Sequence, residues 1–399
     1  MQRKEGHENF SIPHNANVSN GLMFAPTDSD GKTIDVHWAK RSNLNSVATE
    51  IIQTKGASET HPALSPNDEF AGFETSYKHL LGSGGVVSRI NNGYVRRALT
   101  DGVGFQEMMG ANPWKLGIVA GADSHDAFSD NEEFNYTGVH GNTDNTPKIR
   151  LTSGTTVAGE PPTHFGTPGT TAVWAPENTR EAIFDAIKNK ETYGTSGTFI
   201  RLRFFGGWGY SKNLVKDKNF VRKAYKEGVP MGQDLPKKSG VAPTFAVWAL
   251  KDPESANLDR VQIIKGWYKD GHPWEKVFDV VWSDNRKIDA KTGKLPAVGN
   301  TVNIKNASYI NNIGDTQLSA VWTDPDFDPS QHAVYYARVI EIPTPRWTTF
   351  DAKALGVEPP ADVPAIIQER AWSSPIWYTP EAKLVKRQAF YPGLKAYLP

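Results

Sequence analysis

Asp123 and His125 stand two residues apart in the stretch GIVAGADSHDAF (117–128), directly after the apolar run Gly117, Ile118, Val119 and Ala120. A buried strand has no packing use for either side chain, so the pair belongs to the turn that follows. A carboxylate oxygen and an imidazole nitrogen are ordinary ligands for zinc, manganese or iron, which makes a metal site one reading and a solvated turn the other. His14 repeats the design in SIPHNANVSNG (11–21), where it closes an apolar strand and precedes Asn and Gly residues suited to a tight loop. The plainer account is a ring hydrogen-bonded to neighbouring backbone. In ATEIIQTKGASETHP (48–62) Glu50 falls inside a strand, where an unpaired carboxylate is costly to bury, and Glu59 and His61 follow in a loop. A sheet-edge glutamate and a polar loop would look the same. Three strand ends that each deliver His, Asp or Glu carry more weight together than any one alone. Lys55 and Arg89, by charge and loop position, are candidates to hold an anionic substrate.

Other chemistries find no support in the chain. GSGGVV (82–87) lacks the Gly-Lys-Ser/Thr of a phosphate loop and the spacing of a dinucleotide fingerprint. DPDFDP (324–329) has neither the Gly nor the final Glu of a calcium loop and reads as a stiffened turn. No Gly-x-Ser-x-Gly elbow is present. The absence of cysteine removes disulfides, thiolate ligands and cysteine nucleophiles together. Lys plus Arg equals Asp plus Glu at 44 each, so no basic field exists to hold nucleic acid or anionic lipid. No apolar run approaches the roughly 18 residues of a membrane helix. The opening MQRKEGHENFSIPHN has charges but no apolar core of signal-peptide length, which leaves a periplasmic or cytoplasmic location of a full-length form open.

The elements that must position these residues differ between the two halves of the 399-residue chain. Up to about residue 198, apolar strands alternate with amphipathic helices, which argues for a parallel sheet or a β/α barrel. NFSIPHN and VATEIIQTKG (47–56) read as strands. NDEFAGFETSYKHLLG (67–82) reads as a helix because Phe70, Phe73, Tyr77 and Leu80 or Leu81 recur at spacings of three and four. A further helix starts in SRINNGYVRRAL (88–99). The clearest helix is ENTREAIFDAIKNKETYG, with Asn178 as its cap and Glu181 completing a capping box. After residue 198 come eight short β-branched or aromatic segments: FIRLRFFGGW, TFAVWAL, RVQIIKGW, VFDVVWS, GNTVNI, LSAVW, AVYYARVIEI and SSPIWYT. Separated by Pro, Gly, Asp and Asn, they suggest an antiparallel sandwich. The basic stretch KDKNFVRKAYKEGVPMGQDLPKKSG reads as a surface loop. Tryptophans in this half suit an aromatic core, or a sugar or ligand groove.

Several long motifs resemble a known family. IPHNANVSNGLMF, QTKGASETHP, GADSHD, WAPENTREAIFDAIKNKETYGTSGTFIRLRFFGGW and RAWSSPIWYTP are similar to the bacterial domain-of-unknown-function family 3604, over about residues 9 to 380. That family in turn resembles the PHP (polymerase and histidinol phosphatase) metallohydrolases, distorted β/α barrels that bind two or three divalent ions at the strand ends. The resemblance implies metal roles for His14, Asp123 and His125, places Glu50 on the strand after the histidine motif, and assigns Glu59 and His61 to a family-typical loop that binds metal or substrate. Such proteins open with a strand carrying His-x-His, and nothing of that kind precedes His14 here. The chain therefore reads as the C-terminal part of such a protein, with an incomplete ligand set.

The expected fold class is α/β: the C-terminal part of a distorted PHP-like barrel (1–198), a β-rich sandwich-like domain (199–380) and a C-terminal tail (381–399). The expected function is metal-dependent hydrolysis of a small-molecule phosphate ester, using a water activated by Zn, Mn or Fe, with Asp123, His125 and His14 at its centre. Carbamate, ester or amide hydrolysis is an alternative, as are an inactive fragment, a β-rich ligand-binding module, and a site completed by a partner chain. Missing opening strands would leave a free sheet edge, so a homo-oligomer is expected, with no nucleic-acid or membrane partner.

Overall fold

The computed structural model describes residues 8–76, 78–80, 85–128, 130–141, 143–154, 159–237 and 240–381. Its centre is two antiparallel sheets packed face to face. The smaller contains, in order, Gly228–Pro230, Arg201–Gly207, Thr244–Leu250 and Gln317–Thr323. The larger runs His272–Trp282, Leu258–Lys269, Ala333–Glu341, Arg370–Ser373, Thr192–Thr195 and Thr170–Val173, with Ile376–Tyr378 also pairing Ala333–Glu341. Alternation sets the faces. Phe245, Val247 and Ala249 point inward to meet Val261, Ile263, Tyr335, Ala337 and Val339, while Ala246 faces the opposite side and packs under the helix Phe220–Glu227. The sandwich expected after residue 198 is present, and two strands from before that position, Thr170–Val173 and Thr192–Thr195, are part of its larger sheet.

The outer face of the larger sheet carries the helix Val95–Met109, which buries Val95, Ala98, Leu99 and Val103 against Ile264, Val334, Tyr336 and Trp372. Gly104 lets the helix lie close, since a Cβ there would sit 2.5 Å from the Tyr268 ring. Beside this helix lies a two-stranded parallel sheet, Ala48–Glu50 with Gly117–Val119, in the register Glu50 to Val119. No sheet among the described residues closes into a barrel, and this pair is the parallel part of the expected β/α half. Side chains rather than a further strand satisfy its outer edge: Ser374 Oγ accepts from Ile118 N at 2.7 Å, Thr171 Oγ1 accepts from Ala120 N at 2.9 Å, and Thr192 Oγ1 donates to Ile118 O at 2.7 Å. On the other edge Pro13 O accepts from Glu50 N at 3.0 Å, and Ser11 bridges to Ser46.

Five local expectations change. NFSIPHN makes an isolated bridge, Ser11 to Ser46, in place of a strand. Residues 67–74 form turns, and Lys78–His79 a short strand, because Asp68, Glu69 and Glu74 are drawn to separate arginines; Tyr77 and residues 81–82 lie outside the described residues. The stretch read as a basic loop holds the helix Phe220–Glu227, whose Phe220 and Ala224 cover the smaller sheet. GNTVNI contributes only the bridge Asn303 to Ser308. The helix Arg180–Lys188 forms as expected, but its cap is Thr179, whose hydroxyl accepts from Ala182 N at 3.3 Å.

Candidate functional site

Parallel pairing brings the C-terminal ends of Ala48–Glu50 and Gly117–Val119 to the same side, where active-site groups of β/α folds gather. Glu50 ends the first strand, and Asp123 lies four residues beyond the second. Gln53 joins them. Its Nε2 donates at 3.1 Å to each of Glu50 Oε2, Asp123 Oδ2 and Asn15 Oδ1. An amide nitrogen has two hydrogens, so three oxygen acceptors share two protons. Gly121 leaves room for the glutamate: a Cβ at that position would lie 2.5 Å from Glu50 Oε1. His14 is exposed beside this group, near enough to Glu50 to favour its charged form.

Asp123 adopts φ 54, in the left-handed region, which turns the chain sharply at the strand end. His125 Nε2 then lies 3.3 Å from Asp123 Oδ1. His140, a residue with no motif around it, packs its ring against His125 with centroids 4.5 Å apart. Its Nδ1 is buried without a hydrogen-bond partner among the described residues.

Behind Glu50 stands a buried ammonium. Lys55 Nζ is 3.9 Å from Glu50 Oε2 and donates to Ser58 Oγ at 3.1 Å, and Ser58 in turn donates to Asn17 Oδ1 at 3.1 Å. Burial pulls the Lys55 pKa down to about 8, against the attraction of Glu50 and Asp123. Burial likewise raises the Glu50 carboxyl, opposed by Lys55 and Gln53. The two groups hold each other's charge in a site that water barely reaches.

Three expected members lie elsewhere. Glu59 is enclosed by donors: Oε1 accepts from Arg96 Nη2 at 2.6 Å and Tyr336 OH at 2.7 Å, and Oε2 from Trp372 Nε1 at 2.7 Å and Arg338 Nη1 at 3.0 Å. Burial works against its charge, but Arg338 and Arg96 prevail and hold its pKa at about 2. With its lone pairs engaged this way, Glu59 serves the arginines and not the group around Asp123. His61 packs on Tyr94 and accepts from Ala63 N at 3.1 Å. Arg89 is exposed beside Asn20, whose side chain takes its backbone N–H at 3.0 Å, and no contact brings its guanidinium to Glu50 or Asp123.

The strand ends thus gather Asn15, Glu50, Gln53, Lys55 and Asp123, with His14, His125 and His140 beside them. Two carboxylates, an amide oxygen and imidazoles suit a divalent ion in type. The space Gly121 leaves and the unpartnered His140 Nδ1 fit one as well. Among the described residues no three His, Asp or Glu side chains yet surround a common point; Asp123 and His125 bond each other instead. Asn15, Gln53 and His140 were not foreseen, since isolated amides and a lone histidine carry no spacing signal.

No helix among the described residues is long and apolar enough to cross a membrane. No curated protein matches the chain, and no solved structure does. One family model, described as a protein of unknown function (DUF3604), matches residues 1–380. Covering nearly the whole chain, that match shows that the protein belongs to the DUF3604 family.

Proposed function

We propose that the chain is a metal-dependent hydrolase of the PHP-like kind, acting on a small-molecule phosphate ester. Asp123 and His125 would hold the ion, Zn, Mn or Fe, with Glu50 and His14 at the same strand ends. The observation that carries this reading is the meeting of Glu50, Asp123 and Asn15 around a single amide nitrogen of Gln53, at the C-terminal ends of two parallel strands. Acceptors in excess of donors form an oxygen-rich pocket of the kind hard and borderline cations take.

A divalent ion supplies polarisation of a phosphoryl or acyl oxygen and acidifies a water near neutral pH. The chain's own residues do the rest. Gln53 fixes the two carboxylates at one separation. Lys55 favours the charged form of Glu50 from behind against the effect of burial, its own ammonium engaged by Glu50 and Ser58. His14, exposed at the rim, is placed to pass a proton to solvent. The same chemistry serves carbamates, esters or amides, because an activated water attacks carbonyls as well.

A second reading rests on the sandwich. A groove of ≈ 670 Å³ lies over the smaller sheet, lined by Trp174, Arg203, Lys218, Phe220, Arg222 and Trp248, and suits a ligand-binding module. The test is hydrolysis of phosphate monoesters, diesters and aryl esters by the purified chain with added Mn²⁺ or Zn²⁺. Asp123→Ala should lower the rate at least about tenfold, since loss even of groups that orient metal ligands costs that much. Activity untouched by Asp123→Ala would contradict the reading and favour the groove.

A further inference from the structure

We infer that His140 is a third protein ligand of the ion held by Asp123 and His125, making a site of two imidazoles and one carboxylate. The inference rests on the proposed metal-dependent function and names a ligand that no motif supplies.

Three observations carry it. His140 sets its ring edge-on to His125, with centroids 4.5 Å apart and planes at 66°, and His125 Nε2 in turn lies 3.3 Å from Asp123 Oδ1. Its Nδ1 is buried without a partner among the described residues, a costly condition for a polar group unless something takes the lone pair or the proton. The loop is also built to hold the ring there. Val139 O accepts from His125 N at 2.7 Å, tying the two loops together. The buried Asp144 accepts from Val139 N and His140 N, each at 2.7 Å. Gly138, at φ 96, allows this clamp, since a Cβ would lie 2.4 Å from Asp144 O. Arg150 donates to Asp144 O at 3.1 Å and grips Asp351 through two bonds of 2.7 and 3.0 Å, which anchors the clamp to the helix Trp347–Leu355. A ring that only filled space would not need its backbone fixed on both sides.

The chemical consequence is selectivity. Two imidazoles with a carboxylate favour borderline ions such as Zn²⁺, Fe²⁺ or Co²⁺ over Mg²⁺ and Ca²⁺, which prefer all-oxygen shells.

Co²⁺ titration of the full chain, followed by the visible absorption of imidazole-bound cobalt, tests this directly. His140→Ala should weaken Co²⁺ binding at least tenfold, excess Mg²⁺ should not compete, and His272→Ala, at an exposed hairpin end, should bind as the parent does. Should His140→Ala fail to fold, His140→Phe, which keeps a ring against His125 but carries no lone pair, takes its place and should weaken Co²⁺ binding at least tenfold as well. Parent-like Co²⁺ affinity in a folded His140→Ala or His140→Phe chain overturns the inference and leaves the proposed function standing. A parent chain that binds no Co²⁺ overturns both.

Discussion

Gln53 is the residue on which the strand-end group depends, and nothing in its sequence context marks it. One amide nitrogen serves Glu50, Asp123 and Asn15 at 3.1 Å each, and all three acceptors lie on different segments. The carboxylates themselves were legible, because Glu50 inside an apolar strand and Asp123 after one are hard to explain as packing. His125 was legible for the same reason. Their amide partners and His140 were not, since a buried Asn, Gln or single His is common and only the fold reveals what it faces. Other buried acids tell of stability and not of chemistry. Glu341, at the end of a central strand, accepts from Ser255 Oγ at 2.7 Å, and burial lifts its pKa to about 8. Below the ordinary glutamate range, near 4.5, both folded and unfolded chains hold this proton, so the group is neutral to folding there. As pH rises from that value toward about 8 the unfolded chain releases the proton and the folded chain keeps it, so stability is lost across this window. Glu341→Gln should therefore stabilise the chain more at about pH 8 than at about pH 5, as urea midpoints would report. An equal effect at both would mean that the acid is ionised in the folded protein.

At the scale of elements, regular alternation was readable and charge-driven structure was not. The strand Thr244–Leu250 occupies the residues its pattern marks, and Ala333–Glu341 ends one residue short of them. Residues 67–74 defeated the helical periodicity because their aromatics serve as platforms for arginines distant in sequence. Phe70 lies under Arg260, Arg338 and Arg370, and Arg370 sits 3.6 Å over the Phe73 ring. The basic helix Phe220–Glu227 was missed although Phe220, Val221, Ala224 and Tyr225 recur at helical spacing, because the basic residues between them and the Gly and Pro that follow read as a surface loop. Arg338 shows how the first segments are fastened to the sandwich. From the middle of Ala333–Glu341 it binds both oxygens of Glu59 at 3.0 Å, and its Nη2 donates to Asp68 at 2.8 Å. Its loss leaves two buried carboxylates short of charge, a change that costs about 3–5 kcal/mol. Chemical denaturation of Arg338→Ala should show that loss; a decrease below about 1 kcal/mol would place the carboxylates in contact with water.

Across the whole molecule, the antiparallel sandwich dominates and the parallel pair is an appendage to it. The alternating texture before residue 198 pointed to a parallel β/α architecture, but a sequence does not disclose how many strands a sheet will gather. Here the edge of Gly117–Val119 is bonded by Thr171 and Thr192 of the larger sheet and by Ser374, directly after its strand Arg370–Ser373. Those hydroxyls lie in segments far apart in the chain, and so the join was invisible beforehand. It ties the strand that leads into the loop of Asp123, and through it the paired strand that ends at Glu50, to the sandwich. On the proposed function, these strand ends hold a metal ion through Asp123 and His125. Metal content of the purified 399-residue chain, by elemental mass spectrometry after exhaustive dialysis, tests it most directly. About one equivalent or more of Zn, Mn or Fe, lost when Asp123 and His125 are both changed to alanine, is the predicted result. A chain that retains no metal, or a double variant that retains as much as its parent, would contradict it.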